Sequence, residues 1–332
     1  MDRKMAAVAG LAAVLLAAGT GVAEIVIETV PVGNAGNGGY GPYGEVNYEY
    51  RIGKYEVSNA EYCAFLNAVA AEGDPHGLYS ADMGAGYNDI GGIARTGSGT
   101  PADPWVYAPR PNRANRPVTY VKFWNACRFA NWLHNGQPTG GQTAATTEDG
   151  AYILGGVTDP VNTDVIRNSG WEWAVPSEDE WYKAAFHKND GVTDHYFLYA
   201  TGSNTIPTAE LPGGTDLANG SANYNDVETT YYTTECGAYD TKPSSSPYGT
   251  FDQCGNAHEW TDTIDIDDPS MRVMRGGCYS NYPTGMDSSY RFGFPTTREW
   301  FPAGFRVVQV PEPATLSLLA LGGLALIRRR RC

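Results

Sequence analysis

The run Gly255-Asn256-Ala257-His258-Glu259-Trp260 carries the residue types in this sequence that could hold a cation. It ends a longer turn-rich stretch, SPYGTFDQCGNAHEWTD from Ser246 to Asp262, in which Gly249, Gly255 and Asn256 can take positive φ without strain. Such a stretch predicts a tight backbone loop rather than a helix or regular strand. A loop of this kind can aim several carbonyls and the Glu259 carboxylate at one point, as calcium requires. The same residues also describe a structural corner pinned by Trp260, and turn chemistry alone does not choose between the two. His258 beside Glu259 resembles an acid–base pair, but adjacent side chains usually diverge in direction.

Other chemistries find little support. The sequence has no HExxH, GxSxG or Walker pattern, and Asp265, Asp267 and Asp268 lack the Gly and distant Glu of an EF-hand loop. His76, His134, His187, His195 and His258 do not pair at metal-ligand spacing. Gly36, Gly38 and Gly41 fit GxGxxG, yet no helix pattern follows to face a phosphate, so the run reads as a flexible turn. Arg275, Arg291 and Arg306 stand in aromatic or glycine-rich settings. Their reading is structural, as buried donors to carbonyls and carboxylates, with a carbohydrate or anion contact as the alternative.

The elements that must position these residues are sparse. With 40 Gly, 21 Pro, 22 Tyr and 8 Trp in 332 residues, the chain reads as loop-rich, with a core built on large aromatics. Strand patterns occur at Ile25–Val32, Val46–Val57, Trp105–Ala108, Asn115–Val121 and Ala151–Leu154, and closing strands within Ser289–Phe294 and Gly304–Val308. Three helices are predicted. Ser58 and Glu61 form a capping box ahead of Tyr62, Phe65, Leu66 and Val69, with Gly73 as the stop. Ala126, Phe129, Ala130 and Leu133 share one face of a second helix that ends near His134, and Ser177 caps a third whose first turn is acidic. Residues 74–116 and 137–169 are long polar loops of the kind that carry binding surfaces.

The termini set the compartment. Residues 1–23 read as a secretory signal peptide. At the other end Val310-Pro311-Glu312-Pro313, an apolar run from Ala314 to Ile327 and Arg328–Arg331 resemble the PEP-CTERM sorting signal of Gram-negative bacteria, which implies an exosortase-type sorting protease and membrane contact only through this tail. A net charge of −14, with no basic stripe, excludes nucleic acid as a partner. Setting Cys332 aside with the tail leaves five cysteines, Cys63, Cys127, Cys236, Cys254 and Cys278, an odd number with a disulfide expected among the last three.

Taken in order, RIGKYEVSNAEYCAFLNAV (51–69), NRPVTYVKFWNACRFANWL (115–133), VPSEDEWYKAAF (175–186), SPYGTFDQCGNAHEW (246–260), VMRGG (273–277) and AGFRVV (303–308) resemble the formylglycine-generating enzyme, or sulfatase-modifying factor, family. The resemblance covers residues 45–310, behind a strand and flexible loop at 24–44 and ahead of the sorting tail at 311–332. It implies an α+β, C-type-lectin-like fold with little regular secondary structure, two to three helices around small antiparallel sheets. It also implies structural calcium: one site at Gly255, Asn256, Ala257 and Glu259, another at Asn223, Tyr224 and Glu228. The family's oxidase chemistry uses copper on two cysteines five residues apart. Here those positions fall at Asp287 and Phe292, and Cu(I) requires soft ligands, so copper is not expected. The resulting expectation is an exported, surface-associated, non-catalytic module, stabilised by calcium, that binds an envelope glycan or protein. The alternative is formylglycine-generating oxidoreductase activity on sulfatase cysteines.

Overall fold

Two short strands, β1 (Thr29–Val32) and β2 (Tyr50–Gly53), lead into the helix α1 (Asn59–Val69). A hairpin of β3 (Ile93–Thr96) and β4 (Val106–Pro109) precedes α2 (Phe123–His134). Then come β5 (Trp173–Ala174), α3 (Glu178–Phe186) and a parallel pair, β6 (Thr208–Ala209) with β7 (Ser221–Ala222). The chain closes through β8 (His258–Ile264), β9 (Met271–Arg275), β10 (Phe292–Pro295), β11 (Ala303–Gly304) and β12 (Val308–Gln309). This computed structural model describes residues 24–310 apart from 214, 241 and 242. The signal-peptide and sorting-tail readings lie outside the described residues. Among those described, no helix is long and apolar enough to cross a membrane.

Local signals account for the helix starts. Ser58 Oγ accepts from the Glu61 amide while the Glu61 carboxylate accepts from Ser58 N at 2.7 Å, and Ser177 and Glu180 repeat the arrangement on α3. Two sheets of four strands then join distant parts of the chain. In the order β1-β2-β12-β5 the last strand lies between two early ones, and β10-β9-β8-β11 carries the candidate site, with β11 parallel to β8. The core is aromatic: Trp124, Trp132 and Trp260 are fully buried in the main cluster and Trp181 in a second one, and Phe129 packs on Phe65 and Phe305 at ring separations of 5.3 Å.

Several local expectations are corrected. Residues 151–154 are not a strand, because Asn131 on α2 takes their hydrogen bonds: its amide donates to Tyr152 O at 2.8 Å and accepts from Tyr152 N at 2.9 Å. His258–Ile264 is a strand rather than loop, since its backbone pairs with β9, with a register shift between Trp260 and Ile264, and with β11. The GxGxxG run is a turn, and within it buried Asn37 donates to Gly44 O and the Tyr196 hydroxyl, each at 2.7 Å. All five described cysteines are free thiols, so the disulfide expected among Cys236, Cys254 and Cys278 is not formed. Cys236 Sγ lies 3.7 Å from Glu56 O and Cys254 Sγ 3.6 Å from Met286 O, each in its own pocket of the fold.

Candidate functional site

The turn before β8 has the backbone its residue types imply, with φ of +87° at Gly249, +98° at Gly255 and +62° at Asn256. Gly255 has no substitute: a Cβ there would come within 2.3 Å of Asn223 O. That close approach joins the two loops singled out in the sequence. Asn256 N donates to Asn223 O at 2.8 Å, and Asn223 Nδ2 donates to Tyr232 O and to Asn256 Oδ1. Asn256 is the hub, its Oδ1 also accepting from Thr234 N and its Nδ2 donating to Glu56 Oε1 at 3.0 Å. Asn223 Oδ1 remains buried with no hydrogen-bond partner. Tyr224 is buried, its hydroxyl on Pro207 O, and Glu228 Oε1 accepts from the Thr230 and Tyr231 amides of its own loop.

Glu259 is fully buried on β8, and three donors meet its carboxylate. Arg306 reaches both oxygens, Nε to Oε2 at 2.5 Å and Nη2 to Oε1 at 2.6 Å, and Trp181 Nε1 donates to Oε2 at 2.7 Å. A calcium ion held by Glu259 would share that carboxylate with a guanidinium, so the residues fit a cation better on the Asn223 side. There a buried oxygen lacks a partner. Two carboxyls that the sequence did not single out lie near Arg306. Burial raises Glu56 well above the usual carboxylate range, with Asp252 and Glu259 adding to the effect, and burial lifts Asp252 to about 6. Trp260 is buried with its indole N–H on Val121 O at 2.8 Å.

Arg275 and Arg291 meet at one carboxylate. Glu178, in the first turn of α3, accepts from Arg275 Nε at 2.7 Å and Arg291 Nε at 2.9 Å, while Arg275 Nη1 donates to Ser288 O and Tyr290 O. The two arginines thereby hold segment 287–292 against α3. At its start Asp287 Oδ1 accepts from Ser289 N at 2.8 Å. At its end the Phe292 ring stands edge-on to His258 at 4.9 Å and to Trp300 at 5.8 Å. His258 stacks on Trp300 at 5.0 Å and burial lowers its pKa to about 3, so it is a neutral ring within an aromatic cluster, with Nδ1 unpartnered. Among the described residues no group of three or more His, Cys, Asp or Glu is arranged to hold a metal. The cluster continues to the surface through Trp300, Phe301 and Tyr87, the last 59% exposed and 4.9 Å from Phe301.

The model of the sulfatase-modifying factor enzyme 1-like domain matches residues 21–311. The chain belongs to that family. Its fold is accordingly α+β and formylglycine-generating-enzyme-like, with few helices and small sheets, as the resemblance implied. A PEP-CTERM protein-sorting motif matches residues 309–331 of this sulfatase-modifying-factor-like protein, which places it among exported, envelope-sorted chains handled by exosortase-type machinery. Among solved structures, CarF aligns over 86% of this chain and 99% of its own at 18% identity and a TM-score of 0.52, a likeness of fold. Treponema denticola variable protein 1 aligns over 85% and 95% at 17% identity and a TM-score of 0.47. PvdO from Pseudomonas aeruginosa aligns over 80% and 82% at 16% and 0.44. No curated protein matches the sequence.

Proposed function

We propose that this protein is a surface-associated, non-catalytic member of the sulfatase-modifying-factor family that binds an envelope glycan or protein. The observation that carries this reading is the segment 287–292. Where the family resemblance calls for two thiolates, the chain has Asp287, engaged by its own turn, and Phe292, packed in an aromatic cluster. Neither offers the soft sulfur donor that Cu(I) prefers. In place of a redox centre the region offers two rings in contact, exposed Tyr87 within loop 74–116 and half-buried Phe301. Rings of this kind supply large contact area at low entropic cost.

Calcium belongs to the same proposal as a structural ion. Asn223, through its unpartnered Oδ1, is its first ligand, with carbonyl oxygens of the adjoining loops completing the shell and holding segments 223–228 and 255–257 together. A glycan array on residues 24–310, with and without calcium, is expected to show selective binding. Stoichiometric Cu(I) binding with formylglycine formation on a Cys-containing sulfatase peptide, followed by mass spectrometry, would overturn the non-catalytic reading. For calcium, a chelator should lower Tm in the parent and leave Asn223→Ala unaffected. Equal responses would exclude Asn223 as a ligand.

A further inference from the structure

A cavity of about 280 Å³ lies between the N-terminal segment and the start of α1, lined by Ile27, Glu28, Glu56, Ser58, Glu61 and Cys236 among others. Its walls are rich in acceptors and poor in cations. Glu61 Oε2 accepts from Ser58 N and Oγ, each at 2.7 Å. Glu56 is 2% exposed, receives one hydrogen bond on Oε1 from Asn256, and has Oε2 without a partner. Of the lining carboxylates, Glu28 is paired, with Lys54 at 2.8 Å. The Cys236 thiol points to Glu56 O. Burial raises the Glu61 carboxyl.

We propose that this cavity is a binding site for a primary alkylammonium group. Such a group brings a positive charge and three N–H donors to a place that offers carboxylate and hydroxyl oxygens, and its alkyl stem suits the Ile27, Val57 and Val307 side of the wall. The site is separate from the aromatic surface; through Asn256 the Glu56 carboxyl is one residue removed from Asn223, so Glu61→Gln, which touches neither asparagine, tests the cavity independently of the calcium proposal.

The test uses butylamine as the probe and 1-butanol, of similar shape and uncharged, as the control, with residues 24–310 as the protein. Two readouts are followed: calorimetric binding, and protection of the half-buried Cys236 thiol from a neutral maleimide. Glu61→Gln keeps the capping box, which accepts Gln at that position, and Glu56→Gln keeps an acceptor for Asn256. Both variants should fold, and each should weaken butylamine binding about tenfold, the value of a charge-assisted hydrogen bond. Butylamine should protect Cys236 and butanol should not. Equal behaviour of amine and alcohol would overturn the proposal, as would unchanged affinity in both variants, or protection by calcium where the amine gives none.

Discussion

Glu259 and Arg306 form an ion pair that is fully buried on both sides, and such pairs act mainly through their completeness. Removing one partner leaves the other charge in a low-dielectric interior, which costs about 3–5 kcal/mol. Glu259→Ala should therefore lower unfolding free energy by about that amount in urea titrations, and it also strands the Trp181 indole. Glu259→Leu combined with Arg306→Met should recover part of the loss; a double variant no better than the single would argue against an unpaired charge as the cause. The sequence marked Glu259 through its turn and Arg306 as a buried donor but not their pairing across 47 residues, because an ion pair between distant segments leaves no local pattern. His258 carries the pH counterpart. Burial holds it at about 3 against 6.5, so the unfolded chain takes up its proton first as pH falls. Its stabilising share is complete above about 6.5 and is lost as pH drops toward about 3. Asp252, raised to about 6 from 3.8, works in the opposite sense, its share present below 3.8 and lost as pH rises through 6. His258→Phe should flatten the acid side of a Tm-versus-pH curve between 3 and 6.5, and an unaltered acid limb would remove His258 from the account.

At the scale of elements, what was legible was what is local. The capping boxes at Ser58–Glu61 and Ser177–Glu180 and the apolar face of α2 fix three helix positions within a few residues. Strands of two to four residues, such as β5 and β12, carry no such signal, since β12 gains its identity only by lying between β2 and β5. The failed strand at 151–154 shows the competing influence: a side-chain amide from α2 replaced a neighbouring strand as hydrogen-bond partner. Asn131 also donates to Thr147 O at 2.8 Å, so one buried amide ties both ends of the 147–152 turn, while Asn135 and Asn168 donate to Asp149 O and Gly150 O between them. Asn131→Ala leaves buried backbone groups without partners, each costing about 1–3 kcal/mol. The expected result is a loss of about 2–4 kcal/mol in chemical denaturation together with faster amide exchange at Tyr152, while exchange within α1 stays as in the parent. Uniformly faster exchange would mean that the turn is not held by Asn131.

For the whole molecule, export and free thiols stand together in one chain. Its composition suggested a disulfide among three cysteines, a reasonable reading of an exported protein that overlooks how large the aromatic core is. A domain with four fully buried tryptophans and strands that tie residues 29–53 to 308–309 closes its long-range loops without a cross-link. The thiols are protected instead by burial. Cys63, Cys127, Cys254 and Cys278 are buried and Cys236 is half-buried, and burial pushes every one of these thiols up, which leaves little thiolate to oxidise. Purified residues 24–310 should therefore show no mass gain on reduction after oxidising expression. Native protein should label with maleimide at Cys236 first and at the other four only when unfolded. Labelling that is blocked in denaturant until a reductant is added would reveal a disulfide and reverse the conclusion. Labelling of Cys254 or Cys278 in the native state would show that the segments near 254 and 278 open, and with them the turn that joins Asn223 to Gly255.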